Sequence, residues 1–212
     1  MVTKSGQMDL KIRINRQNRG SFIMKKVSKN DLIAIEKELE YYDFEELSPE
    51  HQKQWLIRFK KSVNEVTYSD LQYGGDEVEY NKKEEILLKL LYEMFMMFKG
   101  KYCIIKKYEE RWVIDNKLSE KLYNVLKNQQ ITTRFAGGIL VEKDSEVIKL
   151  FAESVFKYNS FIQYIFSDEK IVVSPSDHLD IFIASNNIRA LECKILGCIN
   201  NVEKEMLELI ER

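Results

Sequence analysis

No stretch of this sequence approaches the roughly 18 consecutive apolar residues that a membrane-spanning helix requires. The longest candidate, residues 86–98, is interrupted by Lys89 and Glu93. The N-terminus is basic but lacks the apolar core and small-residue cleavage site of a secretory signal, so the expected location is the cytosol. Cysteine is scarce. Cys103, Cys193 and Cys198 are an odd number at spacings that match no disulfide framework, which suits a reducing compartment. Cys193 and Cys198 have no neighbouring cysteine or histidine pair, so a zinc site would lack ligands and the thiols read as buried or half-buried packing groups.

The sequence has only two histidines, His51 and His178, too few and too scattered for a zinc hydrolase. His178 has Asp177 and Asp180 near it. That setting would suit a general base held by a carboxylate, although a turn histidine satisfied by its neighbour is the commoner circumstance. His51 falls in the first turn of an expected helix, on the surface. Also missing are a Gly-x-Ser-x-Gly nucleophile turn, a phosphate-binding glycine loop and a dinucleotide fingerprint.

What is present describes a folded protein. Apolar residues make up 44% of the 212 positions and aromatics 11%, enough to bury a core. The 32% of charged residues carry both signs interspersed, as a solvated surface does. The signs are nevertheless uneven along the chain. Residues 1–29 hold eight basic side chains against Asp9, a net of +7, which leaves 25 basic and 33 acidic side chains, a net of −8, on the remainder. An acidic body repels polyanions, so nucleic-acid binding is disfavoured. The basic leader, residues 1–23, reads as disordered. Arg19-Gly20 just upstream of Met24 is what a bacterial ribosome-binding site looks like when translated, so Met24 is the expected start. The alternative is a basic arm for nucleic acid.

Hydrophobic periodicity divides the rest into a helical region, 24–100, and an α+β region, 101–212, packed as one globule. Leu32, Ile35 and Leu39 follow the cap candidates Ser28 and Asn30. Ser48-Pro49 reads as a helix start, with Trp55, Leu56, Phe59, Val63 and Val66 as its apolar stripe. After the break at Tyr73-Gly74-Gly75-Asp76, Asn81 and Glu84 form a capping pair for a helix carrying Ile86, Leu87, Leu90, Leu91, Met94, Phe95 and Phe98. Its Met-rich end reads as core rather than as a partner groove. Beyond Gly100 the period turns to two. Residues 102–105 and 111–114 form a hairpin, a helix covers 119–129, and a strand over 131–141 bends at Gly137-Gly138, where a bulge or a close backbone approach is expected. A helix after Asp144 carries Val147, Ile148, Phe151, Val155 and Phe156. Strands follow at 161–166, 171–174 and 179–184. The fold class is α+β with a mainly antiparallel sheet and a C-terminal helix.

One local pattern carries chemistry. Asp180 precedes the apolar run Ile181-Phe182-Ile183, and Glu192-Cys193-Lys194 follows after a turn at Asn186-Asn187. This resembles the active-site signature of the PD-(D/E)xK nuclease superfamily, although Pro175, not a Pro-Asp dipeptide, stands before the Asp. The resemblance covers about a quarter of the chain. It implies Asp180 and Glu192 as ligands of Mg²⁺ or Mn²⁺, Lys194 as the catalytic cation and Glu153 as an outer carboxylate. It requires residues 188–196 to be a strand, because residues two apart share a side there and lie about 200° apart on a helix. Ile188, Leu191, Ile195, Ile199, Val202, Met206, Leu209 and Ile210 keep a helical rhythm, which favours a helix capped by Asn186.

The reading that follows is a non-enzymatic, cytosolic protein-binding module without a cofactor or metal, such as an inhibitor or immunity-type protein of a bacterium. Its acidic body would capture a basic protein by electrostatic steering. Tyr41, Tyr42, Asp43, Glu45 and Glu46 form the acidic, aromatic patch expected to dock it. Metal-dependent nucleolysis through Asp180, Glu192 and Lys194 is the alternative.

Overall fold

The structure, a computed structural model, describes residues 24–39, 54–63, 66–71, 73–106, 120–131, 135, 137–142, 145–158, 162–185 and 188–211. Ser28 opens α1 (Lys29–Glu38) as its sequence position implies. Its hydroxyl oxygen accepts from the Asp31 amide at 3.1 Å, and the hydroxyl donates to the Asp31 carboxylate at 2.7 Å, which satisfies a donor that the helix leaves open. A short α2 (Tyr68–Leu71) precedes the long α3 (Glu77–Met97). The cap of α3 is Asp76 and not the expected Asn81. Its carboxylate accepts from the Val78 and Glu79 amides, both at 3.0 Å. The chain leaves its glycine turn there, so Asn81 and Glu84 already lie inside the helix.

β1 (Met24–Val27), β2 (Gln54–Phe59), β3 (Tyr102–Lys106), β4 (Gly138–Val141), β5 (Ile162–Phe166), β6 (Ile171–Ser176), β7 (Asp180–Ser185) and β8 (Leu207–Glu211) form one sheet. Their order is β1-β4-β3-β5-β6-β7-β2-β8, and every neighbouring pair is antiparallel. α4 (Glu120–Asn128), α5 (Ser145–Tyr158) and α6 (Ile188–Glu203) complete an α+β fold. Among the described residues no helix is long and apolar enough to cross a membrane.

Side chains alternate across the sheet as the pleat demands. Ile57, Tyr164, Phe166, Val173, Ile181 and Ile183 share one core with Leu87, Leu90, Met94 and Phe95 of α3 and with residues of α5 and α6. Val27, Ile165, Val172 and Ala184 share a smaller one with Leu39, against which Leu32 and Ile35 of α1 pack. Phe95 anchors the larger core: its ring centroid lies 5.5 Å from Tyr102, 4.9 Å from Tyr164 and 5.0 Å from Phe166. Such tilted and edge-on aromatic pairs contribute about 0.5–1.5 kcal/mol each beyond area burial.

Burial on both faces explains the departure from the periodicity at β2. Residues 54–59 are the strand β2, not part of a helix begun at Pro49, and Trp55, Leu56 and Ile57 are all buried. β2 has β7 on one side and β8 on the other. A strand covered from both faces loses its alternation and mimics a helical stripe. With β1, it places strands inside the region read as helical. The C-terminal helix ends at Glu203, and residues 207–211 turn back as β8 to pair with β2. β3 pairs with β4 and β5; its expected partner at 111–114 lies outside the described residues. β4 covers Gly138–Val141; residues 132–134 and 136 of the expected strand lie outside the described residues. The close approach expected at the paired glycines is present: Gly137 has φ +129°, and a Cβ there would overlap the Val27 carbonyl oxygen. Pro175 is tolerated inside β6 because, among the described residues, the pairing of β5 with β6 stops at Val173, and the proline pairs with β7 alone.

Candidate functional site

The end of β2 and the start of β7 lie side by side, with Ile57 opposite Ile181. β2 therefore delivers Arg58 and Phe59, and the turn after it Lys60 and Lys61, next to Asp180 and the β6–β7 hairpin. α3 adds Lys83, and the segment leading into α2 adds Val66 and Thr67. Together they wall a cleft of about 360 Å³, completed by Leu56, Val63, His178 and Leu179. Among the described residues, four cationic side chains and one carboxylate, that of Asp180, thus line the cleft.

Local contacts set each cation. The Arg58 guanidinium donates from Nε to Glu208 of β8 at 2.8 Å. The Lys60 amide donates to the Met206 carbonyl at 2.8 Å and its ammonium to the Lys204 carbonyl at 2.9 Å. The Val63 amide closes the turn onto the Lys60 carbonyl at 2.8 Å, and Lys61 lies exposed within that turn. Lys83 is only 2% exposed. Its ammonium sits 5.3 Å from the Phe59 ring centroid and 3.9 Å from the Glu79 carboxylate. On the opposite wall, Leu179 has φ +55° and is nonetheless buried. Its amide donates to the Ser176 carbonyl at 3.1 Å. The side chain occupies a left-handed turn position that usually falls to glycine or asparagine, and it stays there because it packs into the core. Thr67 is fixed by Asp70, whose carboxylate accepts from its amide at 2.6 Å and its hydroxyl at 2.8 Å. The Thr67 amide, then the hydroxyl, holds the Asp70 carboxyl below its ordinary range.

The residues singled out from the sequence are scattered. Asp180 lines the cleft. Glu192 and Lys194 lie on α6, where a two-residue separation sends side chains about 200° apart, so the convergence that the nuclease signature requires does not occur. Glu153 is on α5, 3.9 Å from Lys149. Among the described residues no group of three or more His, Cys, Asp or Glu side chains is placed to hold a metal ion, and Asp180, Glu192 and Lys194 do not fit a Mg²⁺ or Mn²⁺ site. His178 stands on the hairpin rim with 77% of its side chain exposed, 4.0 Å from Asp177. Cys193 is exposed and Cys198 buried, its thiol pushed up by burial and then by the Glu93 charge. Tyr41, Tyr42, Asp43, Glu45, Glu46 and His51 lie outside the described residues.

A second polar cluster bridges α3 and α5. Glu84 pairs with Lys157 at 3.0 Å, yet burial outweighs the pair and raises the Glu84 carboxyl above its ordinary range. Burial, then the Glu84 charge, raises the Tyr80 hydroxyl as well. Sequence reasoning missed the cationic cleft, although Arg58-Phe59-Lys60-Lys61 is visible as a short basic run; Lys83 joins it only through the packing of α3. Comparison with protein-family models, with curated proteins and with solved structures finds no match.

Proposed function

We propose that this chain is a non-enzymatic binding module that receives an anionic group in the cleft between β2, β7 and α3. One observation carries the reading: Arg58, Lys60, Lys61 and Lys83 line a walled volume of about 360 Å³ with, among the described residues, one carboxylate, Asp180. The setting sharpens the selectivity. Residues 30–212 carry a net charge of −8, so a long polyanion laid across the surface meets repulsion. A compact anion inside the cleft is shielded from charges farther away than about 8 Å at physiological salt. A charge-assisted hydrogen bond to such an anion contributes about 1.5–3 kcal/mol. The exposure of His178 on the rim favours binding over proton transfer, since a general base works best held against its substrate.

Calorimetric titration of the full chain with small phosphate and carboxylate salts tests this. The expected result is saturable one-to-one binding that weakens with added salt and on Lys61→Ala. Heats that never saturate for any anion would remove the reading. The net charge of −8 favours a second surface role, capture of a basic protein in the manner of an inhibitor or immunity protein. Its expected signature is one stoichiometric basic partner recovered at low salt and released at high salt. No such partner at low salt would count against it.

A further inference from the structure

Resting on the anion-binding reading of this cleft, we infer that its ligand is a phosphate monoester bearing an apolar or aromatic group, rather than a carboxylate or free phosphate. The argument for phosphate concerns the shape of the cations. Arg58 alone among the four carries the planar fork that matches a flat carboxylate, and its Nε already donates to Glu208 of the same chain at 2.8 Å. The other three are lysines, point charges without a preferred plane. They approach from different elements: Lys60 and Lys61 from the turn after β2, and Lys83 from α3, with His178 on a further wall. Donors arriving from several sides suit the tetrahedral array of phosphoryl oxygens better than two coplanar ones.

Charge points the same way. Against the four cations stand Asp180 in the cleft, Glu208 beside Arg58 and Glu79 beside Lys83 at 3.9 Å. One positive charge remains, and His178 on the rim has Asp177 4.0 Å away, so the site accommodates a small anion of low charge, within reach of a phosphate monoester.

The argument for an ester concerns size and walls. A cleft of about 360 Å³ holds roughly a dozen waters, far more than a bare oxyanion displaces. Leu56, Phe59, Val63, Val66 and Leu179 line the rest of it, and apolar lining gains free energy only if something apolar covers it. The ester's organic part would lie against these side chains, with the phosphoryl group among the lysines.

Isothermal titration of the full chain with phenyl phosphate, inorganic phosphate and benzoate tests the inference. Phenyl phosphate is expected to bind one-to-one and about ten-fold or more tighter than either of the others. Lys61→Ala and Lys83→Met are each expected to weaken it about ten-fold or more, with circular dichroism confirming that Lys83→Met is folded. Lys61 is exposed, so its variant keeps the test valid if Lys83→Met does not fold. Benzoate binding as tightly as phenyl phosphate would overturn the phosphate assignment and leave anion binding standing. Inorganic phosphate equalling phenyl phosphate would overturn the ester. If none of the three binds, the broader reading fails with it.

Discussion

Glu84 shows how one buried side chain can set the pH response of the fold. Its carboxyl is raised by burial despite Lys157 at 3.0 Å, so the folded chain holds that proton more tightly than the unfolded chain does. Stability from this group is therefore fully present below the ordinary carboxylate pKa, and is lost as pH rises from there through the folded value. Glu84→Gln is expected to raise the melting temperature at pH 7 by about 2–4 °C, a gain that shrinks below pH 4. A parent protein more stable than the variant at pH 7 would show that the pair with Lys157 dominates. Gly137 poses a backbone question: with φ +129° and the Val27 carbonyl against it, Gly137→Ala is expected to cost about 2 kcal/mol or more in urea unfolding. Phe95, which touches three aromatic rings in the core, is expected to cost about 3–5 kcal/mol on truncation to alanine.

At the scale of elements, β2 organises both the sheet and the cleft. It has strands on either side, whereas β8, the last in the sheet order, pairs only with β2 among the described residues. Hydrogen exchange is expected to find slow amides at successive positions along Trp55–Arg58 but at alternate positions along β8. Uniformly fast exchange in 55–58 would contradict the central placement of β2. The sequence hides this strand because Trp55, Leu56 and Ile57 are apolar in succession, and Phe59, Val63 and Val66 complete a false helical stripe. By contrast, α3 and α5 present polar residues to solvent on one side, so their 3.6-residue rhythm is plain. Residues 188–203 are a helix for the same reason.

For the whole molecule, β8 is the cover that keeps β2 from being an edge. A chain truncated after Glu205 would expose the apolar, hydrogen-bond-ready side of β2. It is expected to associate through it, visible as higher-mass species in light scattering. A monodisperse monomer would contradict that. The balance of charge works at the same scale: the body is acidic, yet β2, the turn after it and α3 together place four cations around one opening.

What the sequence by itself determined is the α+β class, the long core helix, the turn and strand succession from 162 to 185 and the helical state of 188–203, because each follows from local rhythm, caps and turn chemistry. Only the tertiary structure decided that 54–59 extends, that 207–211 returns to the sheet and that Lys83 stands beside Phe59, Lys60 and Lys61. The physical reason is that a strand buried on both faces loses the alternation that would mark it, and a site assembled from β2, α3 and a distant hairpin has no signature at any one sequence spacing.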